Sequence, residues 1–128
     1  MHRLRSDAGS AAAEFVMVGA LLTVLLLSVL QLGFALLIRN TVLDAAAEGA
    51  RFGALADRTP ADGVARTVDL ISTALGPVYA GDVSAATGSH LGHPTLTITV
   101  RAPLPLIGLA GVPGGLEVSG RAAIETVP

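Results

Sequence analysis

The sequence predicts an α+β protein. A long N-terminal transmembrane helix leads into a second helix and a small antiparallel β-sheet. Three observations carry this. Residues 15–38 are a 24-residue uncharged run that holds 19 hydrophobic residues. Residues 59–77 contain a helix start, an apolar stripe at helical spacing and a helix stop. Residues 95–101 and 116–127 alternate apolar and polar positions, the period of two that a half-buried strand requires.

The bulk composition agrees. The chain has 128 residues, enough for one domain plus one appended element. Hydrophobic residues make up 52%, charged residues 14% and aromatics 3%. Outside the apolar run, 47 of 104 residues are hydrophobic, an ordinary share for a folded soluble region. This composition argues against disorder of the whole chain and against a simple cytosolic globule. Net charge is -2, from eight Arg, no Lys and ten acids. That balance leaves no electrostatic footprint for nucleic acid. Cysteine is absent, which excludes disulfides, thiolate metal sites and cysteine catalysis.

As a helix, residues 15–38 would reach roughly 36 Å, against a hydrocarbon core of about 30 Å. A buried core helix is usually shorter, and a secretory signal has an apolar core of only about 7–15 residues. The polar interruptions are Thr23, Ser28 and Gln31. Thr and Ser hydroxyls can bond back to the helix backbone. Gln31 is costlier and suits a position facing a neighbouring helix. Arg3 and Arg5 precede the run and Arg39 follows it. The positive-inside rule then places the N-terminus in the cytoplasm and the remainder outside. Glu14 stands just before the run, where a carboxylate is expensive unless it reaches the interface or finds a cation. Taken alone, Glu14 reads as an interfacial residue reaching for water.

The residues around Glu14 add a second reading. In Gly9-Ser10-Ala11-Ala12-Ala13-Glu14-Phe15, a glycine is followed by five residues, the fifth a Glu, and then by the apolar run. This resembles the processing site of type IV pilin-like proteins, cut after the glycine by a prepilin peptidase. Three further pieces follow in order: Gln31-Leu32-Gly33-Phe34, Arg39-Asn40-Thr41 and Ala46-Ala47-Glu48-Gly49-Ala50-Arg51. Together they resemble the TadE-like family over roughly residues 9–53. These are minor pilins or pseudopilins of the Tad (tight adherence, Flp-type) pilus assembly system.

The resemblance implies a pilin-like helix, a cell-membrane location and a structural role without enzymatic activity or cofactor. It implies prepilin peptidase, other pilins or pseudopilins, the Tad assembly platform and the lipid bilayer as partners, and no nucleic acid. Residues 1–9 would be a leader cut between Gly9 and Ser10. Residues 10–56 would form the long helix, and residues 57–128 a small extracytoplasmic α+β region. Two positions depart from the family pattern. Val18-Gly19-Ala20 stands where a Pro often lies, which removes the expected kink. Gln31 stands where a Glu is frequent, leaving Glu14 as the sole acid at the membrane.

Cleavage there has a coherent electrostatic consequence. It creates an α-amino group at Ser10, with a reference pKa near about 7.7–8.0, and shifts the formal charge from -2 to -3 by removing Arg3, Arg5 and Asp7. Glu14 lies one turn further along. In a bundle of such helices it could face the amine of a neighbouring subunit. A charge pair in a low-dielectric layer is selective, because an unpaired Glu there is costly.

The helix should continue through the Ala-rich residues 41–56. Asp44, Glu48 and Arg51 share one polar face, with Glu48 and Arg51 paired at i, i+3. Ala45, Gly49 and Gly53 recur every four residues on a neighbouring face. Small residues at that spacing admit a close backbone, either a partner helix or the protein's own sheet. Plain Ala/Gly richness produces the same pattern. Thr59-Pro60-Ala61-Asp62 then reads as N-cap, first-position Pro and first-turn acid. Val64, Val68, Ile71 and Leu75 supply the stripe, and Gly76-Pro77 the stop.

Residues 81–92 are small and polar, with one short strand at 82–86. Residues 95–101 place Leu96, Ile98 and Val100 on one face. Residues 116–127 place Leu116, Val118, Ala122 and Ile124 against Glu117, Ser119, Arg121 and Glu125. Between them, residues 103–115 form an apolar loop bearing Leu104, Leu106, Ile107 and Leu109, folded onto the core or exposed to a partner or bilayer.

His90 and His93 are the one potential metal pair, but Gly92 and Pro94 argue for a loop, and zinc needs more ligands. No Gly-x-Ser-x-Gly elbow or phosphate loop is present. The competing function is an unprocessed, signal-anchored single-pass surface protein with an extracytoplasmic interaction domain, in which Gly9 and Glu14 are coincidental.

Overall fold

The protein is described by a computed structural model covering residues 2–104 and 112–126, with side chains placed for residues 6–104 and 115–126. The chain divides into two compact units, Met1–Gly33 and Phe34–Pro128.

From His2 onward the first unit is helical, within α1, His2–Gly53. Ala, Leu and Met favour this conformation, and no Pro interrupts it. Its large apolar side chains are open: from Phe15 to Leu37 they are 51–80% exposed. Thr23 Oγ1 donates to the Gly19 carbonyl (2.8 Å) and Ser28 Oγ to that of Val24 (2.7 Å), so both hydroxyls are satisfied without water. α1 is the one helix among the described residues long and apolar enough to cross a membrane.

The second unit contains the C-terminal part of α1, then α2, Pro60–Leu75, and a 3-10 turn, Pro77–Ala80. Three strands follow: β1, Asp82–His90, β2, His93–Leu104, and β3, Val112–Ala123. They form one antiparallel sheet in the order β1-β2-β3. The fold class read from the sequence is the one observed.

One sheet face carries the core. Ile98, Val100 and Ala102 of β2 and Leu116 and Val118 of β3 are buried there with Ile38, Val42, Ala45, Ala46 and Ala50 of α1 and Ile71 of α2, and Leu96 of β2 is fully buried as well. Each fully buried Ile, Leu or Val contributes roughly 1.5–3 kcal/mol over an exposed position. The other face is polar. Thr99 and Ser119 hydroxyls lie 3.1 Å apart, and Arg101 Nε lies 3.7 Å from Glu117 Oε2. That ion pair is more than half exposed and worth about 0–1 kcal/mol.

α2 begins with a full capping box. The Asp62 amide donates to Thr59 Oγ1 (3.2 Å), and the Thr59 amide donates to the Asp62 carboxylate (2.8 Å). Those hydrogen bonds, above all from the Thr59 backbone, hold the Asp62 carboxyl below its ordinary value of 3.8, with Arg58 adding to the effect. Gly76 closes the helix at φ 103°.

Four details differ from the sequence reading. α1 is helical from His2 and ends at Gly53 rather than residue 56. β1 runs to His90, well past residue 86, because a two-residue turn joins it to β2. Leu91 (φ 53°) and Gly92 (φ 81°) give that turn the backbone of a type I′ hairpin. β3 begins earlier than residue 116 and stops at Ala123. The buried face of α2 centres on Gly63, Thr67 and Ile71, with Val64 and Val68 only half-buried at its flank. Of the apolar loop 103–115, residues 105–111 lie outside the described residues, and its two ends belong to β2 and β3.

Candidate processing and assembly site

Gly9, Ser10 and Glu14 all sit on α1 and are exposed. A four-residue separation puts Ser10 and Glu14 on one side of the helix, about 6 Å apart along its axis. Among the described residues, no ion pair within the chain engages Glu14. A Cβ built at Gly9 would meet no other atom within 4 Å, and its φ is not positive. Neither packing nor backbone conformation therefore requires glycine there, although it costs the helix about 0.5–1 kcal/mol relative to Ala. Gly19 and Gly33 are equally uncrowded. What sets Gly9 apart is its place five residues before the acid.

Ala45, Gly49 and Gly53 are all buried. Their neighbours are the chain's own elements. A Cβ on Gly49 would collide with Thr67 Oγ1 and lie 2.7 Å from the Gly63 carbonyl oxygen. One on Gly53 would lie 2.9 Å from Gly63 Cα and 2.8 Å from Leu96 Cδ2. α1 and α2 thus cross backbone to backbone over three glycines. Gly120 repeats the device on the sheet side, where a Cβ would collide with the α1 backbone at Ala46 and Ala47. Thr67 is fully buried in the crossing and donates its hydroxyl to the Gly63 carbonyl (2.8 Å), so no polar atom is orphaned.

The far end of α1 is stitched to the end of the sheet. The Glu125 amide donates to the Ala54 carbonyl (2.7 Å), the Glu125 carboxylate accepts from the Ala56 amide (3.2 Å), and the Ile124 amide donates to the Pro94 carbonyl (2.9 Å). Phe52 lies under two guanidinium groups, those of Arg58 (4.7 Å to the ring centroid) and Arg66 (5.9 Å). Neither feature was legible from local spacing, since both join residues distant in sequence or across a turn. The Glu48–Arg51 pair is present at 3.5 Å.

His90 and His93 face each other across the β1–β2 hairpin. Among the described residues, no group of three or more His, Asp or Glu is placed to hold a metal ion.

No curated protein matches the chain, and no solved structure does. A family model described as TadE-like protein matches residues 9–51. The matched stretch opens at Gly9 and ends on the polar face at Arg51. Over those residues the chain is similar to TadE-like proteins.

Proposed function

We propose that the protein is a structural, pilin-like subunit of Tad/Flp-type pilus assembly that acts without catalysis or cofactor. A prepilin peptidase cuts between Gly9 and Ser10. α1 crosses the cell membrane once, with the N-terminus on the cytoplasmic side and the sheet-bearing unit outside. Glu14 pairs with the new amine of a neighbouring subunit, setting the register between helices. The partners are the peptidase, other pilins or pseudopilins, the Tad assembly platform and the bilayer.

The observation that carries this reading is the family match over residues 9–51, coincident with an exposed apolar helix. Gly9 adds support: a helix-weakening residue with no packing role fits recognition by an enzyme better than a role in the fold. The exposed Glu14 adds more, since a carboxylate at the membrane surface calls for a cation from elsewhere.

Intact mass of the membrane-extracted protein tests the proposal. A mature chain beginning at Ser10 is expected, and Gly9→Val should leave the leader attached. A native product that still begins at Met1 overturns the processing step and favours the unprocessed, signal-anchored surface protein.

A further inference from the structure

We propose that the sheet-bearing unit touches the lipid bilayer itself: the 3-10 turn Pro77–Ala80 rests in the interfacial layer, with Val78 inserted and Tyr79 beside it. This rests on the reading that α1 crosses the membrane and that its apolar run leaves the bilayer near Ile38.

Two independent lines of packing give the axial level of this turn. Gly63, near the start of α2, lies against Gly49 and Gly53, whereas Leu70 and Ala74, near its end, share a groove with Thr41 and Ala45. α2 therefore runs antiparallel to the C-terminal part of α1, its end on the side of Thr41. Its last residue, Leu75, comes level with about residue 40, and the 3-10 turn follows directly.

The sheet gives the same answer. Gly120 lies on Ala46 and Ala47, and Glu125 on Ala54, so β3 and α1 advance in the same direction. Four strand residues back from Gly120 cover about 13 Å, equal to about nine helix residues. That places Leu116 beside Ile38, consistent with both being buried in one core cluster. Ala102 pairs with Leu116, and Pro103 follows it at this end. Val78, Pro103, Arg101 and Glu117 line one open hollow of about 620 Å³. The turn, the end of β2 and Ile38 thus lie at one level.

The chemistry at that level suits an interface. Ile38 is the last residue of the apolar run and is fully buried in the core, so the bilayer boundary falls against the unit. Val78 is 70% exposed. Tyr79 is half-buried and is the sole tyrosine of the chain, a residue type enriched where bilayer meets water. The charged groups nearby are exposed: Arg39, Asp82, and Arg101 paired with Glu117. A headgroup layer accommodates them, whereas an apolar protein partner would bury them at a cost. The opposite end of the sheet supplies a comparison. Leu91 is 87% exposed at the hairpin, a full nine-residue strand away, about 30 Å.

The lack of cysteine makes the test clean. Val78→Cys, Leu27→Cys and Leu91→Cys are each labelled with an environment-sensitive fluorophore in the full chain. The labelled proteins are then reconstituted into phosphatidylcholine vesicles with and without a lipid-borne quencher. All three positions are exposed, so the substitutions leave the core intact. Blue-shifted emission and strong quenching are expected at positions 27 and 78, with neither at 91. The unmodified chain offers a second reading, quenching of Tyr79 fluorescence by the same lipid. A quenched label at 27, with 78 no more quenched than 91, overturns the second contact and leaves the span standing. An unquenched label at 27 overturns the span, and this inference with it.

Discussion

Gly49→Ala is the sharpest probe of the α1–α2 crossing. The added methyl would occupy the space of Thr67 Oγ1 and come within 2.7 Å of the Gly63 carbonyl oxygen, where ordinary contact begins near 3.4 Å. One response moves α2 outward by several tenths of an ångström; overpacking of this kind costs about 1–3 kcal/mol. The other rotates Thr67 away, which breaks its 2.8 Å bond to Gly63 and strands a fully buried hydroxyl, a further ~1–3 kcal/mol. The helix gains about 1 kcal/mol from replacing Gly by Ala. Rotating Thr67 does not relieve the Gly63 contact, so both costs count against that gain, a net loss of about 1–5 kcal/mol, at roughly 4–8 °C in Tm per kcal/mol for a unit of this size. Tyr79 packs against the core, so its fluorescence in detergent micelles reports this melt. Far-UV signal from the apolar part of α1 would mask it. Gly33→Ala is the control, because nothing lies within 4 Å of its added methyl. Combining Gly49→Ala with Thr67→Ala should cost about 1–2 kcal/mol less than the sum of the two changes. A Gly49→Ala protein that melts with the wild type, or strict additivity in the double variant, would refute the crossing as described.

Gly120→Ala should destabilise at least as much, since the α1 backbone at Ala46 and Ala47 cannot rotate aside as a side chain can; urea midpoints measure it. Glu14→Gln should leave membrane insertion intact but lower subunit incorporation, read by fractionating assembled from membrane-extractable protein; unchanged incorporation removes the pairing role. The Asp62 carboxyl is held below 3.8, so its contribution is present above that value and disappears as pH falls through the lower folded value. Acid titration of the Tyr79 melt should therefore show a loss below about pH 4 that Asp62→Asn lacks.

The parts of the fold that follow from local chemistry were legible. The cap of α2 needs only Thr59, Pro60 and Asp62 in order, and β2 declares itself through Leu96, Ile98 and Val100. The buried face of α2 was misplaced by a few tens of degrees because periodicity weighs side-chain size. The crossing is closest where side chains are smallest, so Gly63 and Thr67 sit at its centre and Val68 beside it. β1 was cut short because Thr87, Gly88 and Ser89 carry no apolar alternation; its length comes from pairing with β2. The hairpin lacked an Asn-Gly signal, since Leu91 takes the first left-handed position. Gly9, Ser10 and Glu14 stand out by sequence spacing alone, and Ala45, Gly49 and Gly53 read as a small-residue face. Which surface meets that face depends on α2 and β2, which no spacing within α1 encodes.

The stitching of Glu125 to Ala54 carries a timing consequence. The 72 residues from Gly53 to Glu125 take about 4–14 s to synthesise at ordinary rates. Throughout that interval the flank of α1 at Ala46 and Ala47 lacks the strand that covers it. Closure of the core therefore waits on the final strand, and a ribosome stalled before Gly120 would leave α1 with a naked, aggregation-prone seam.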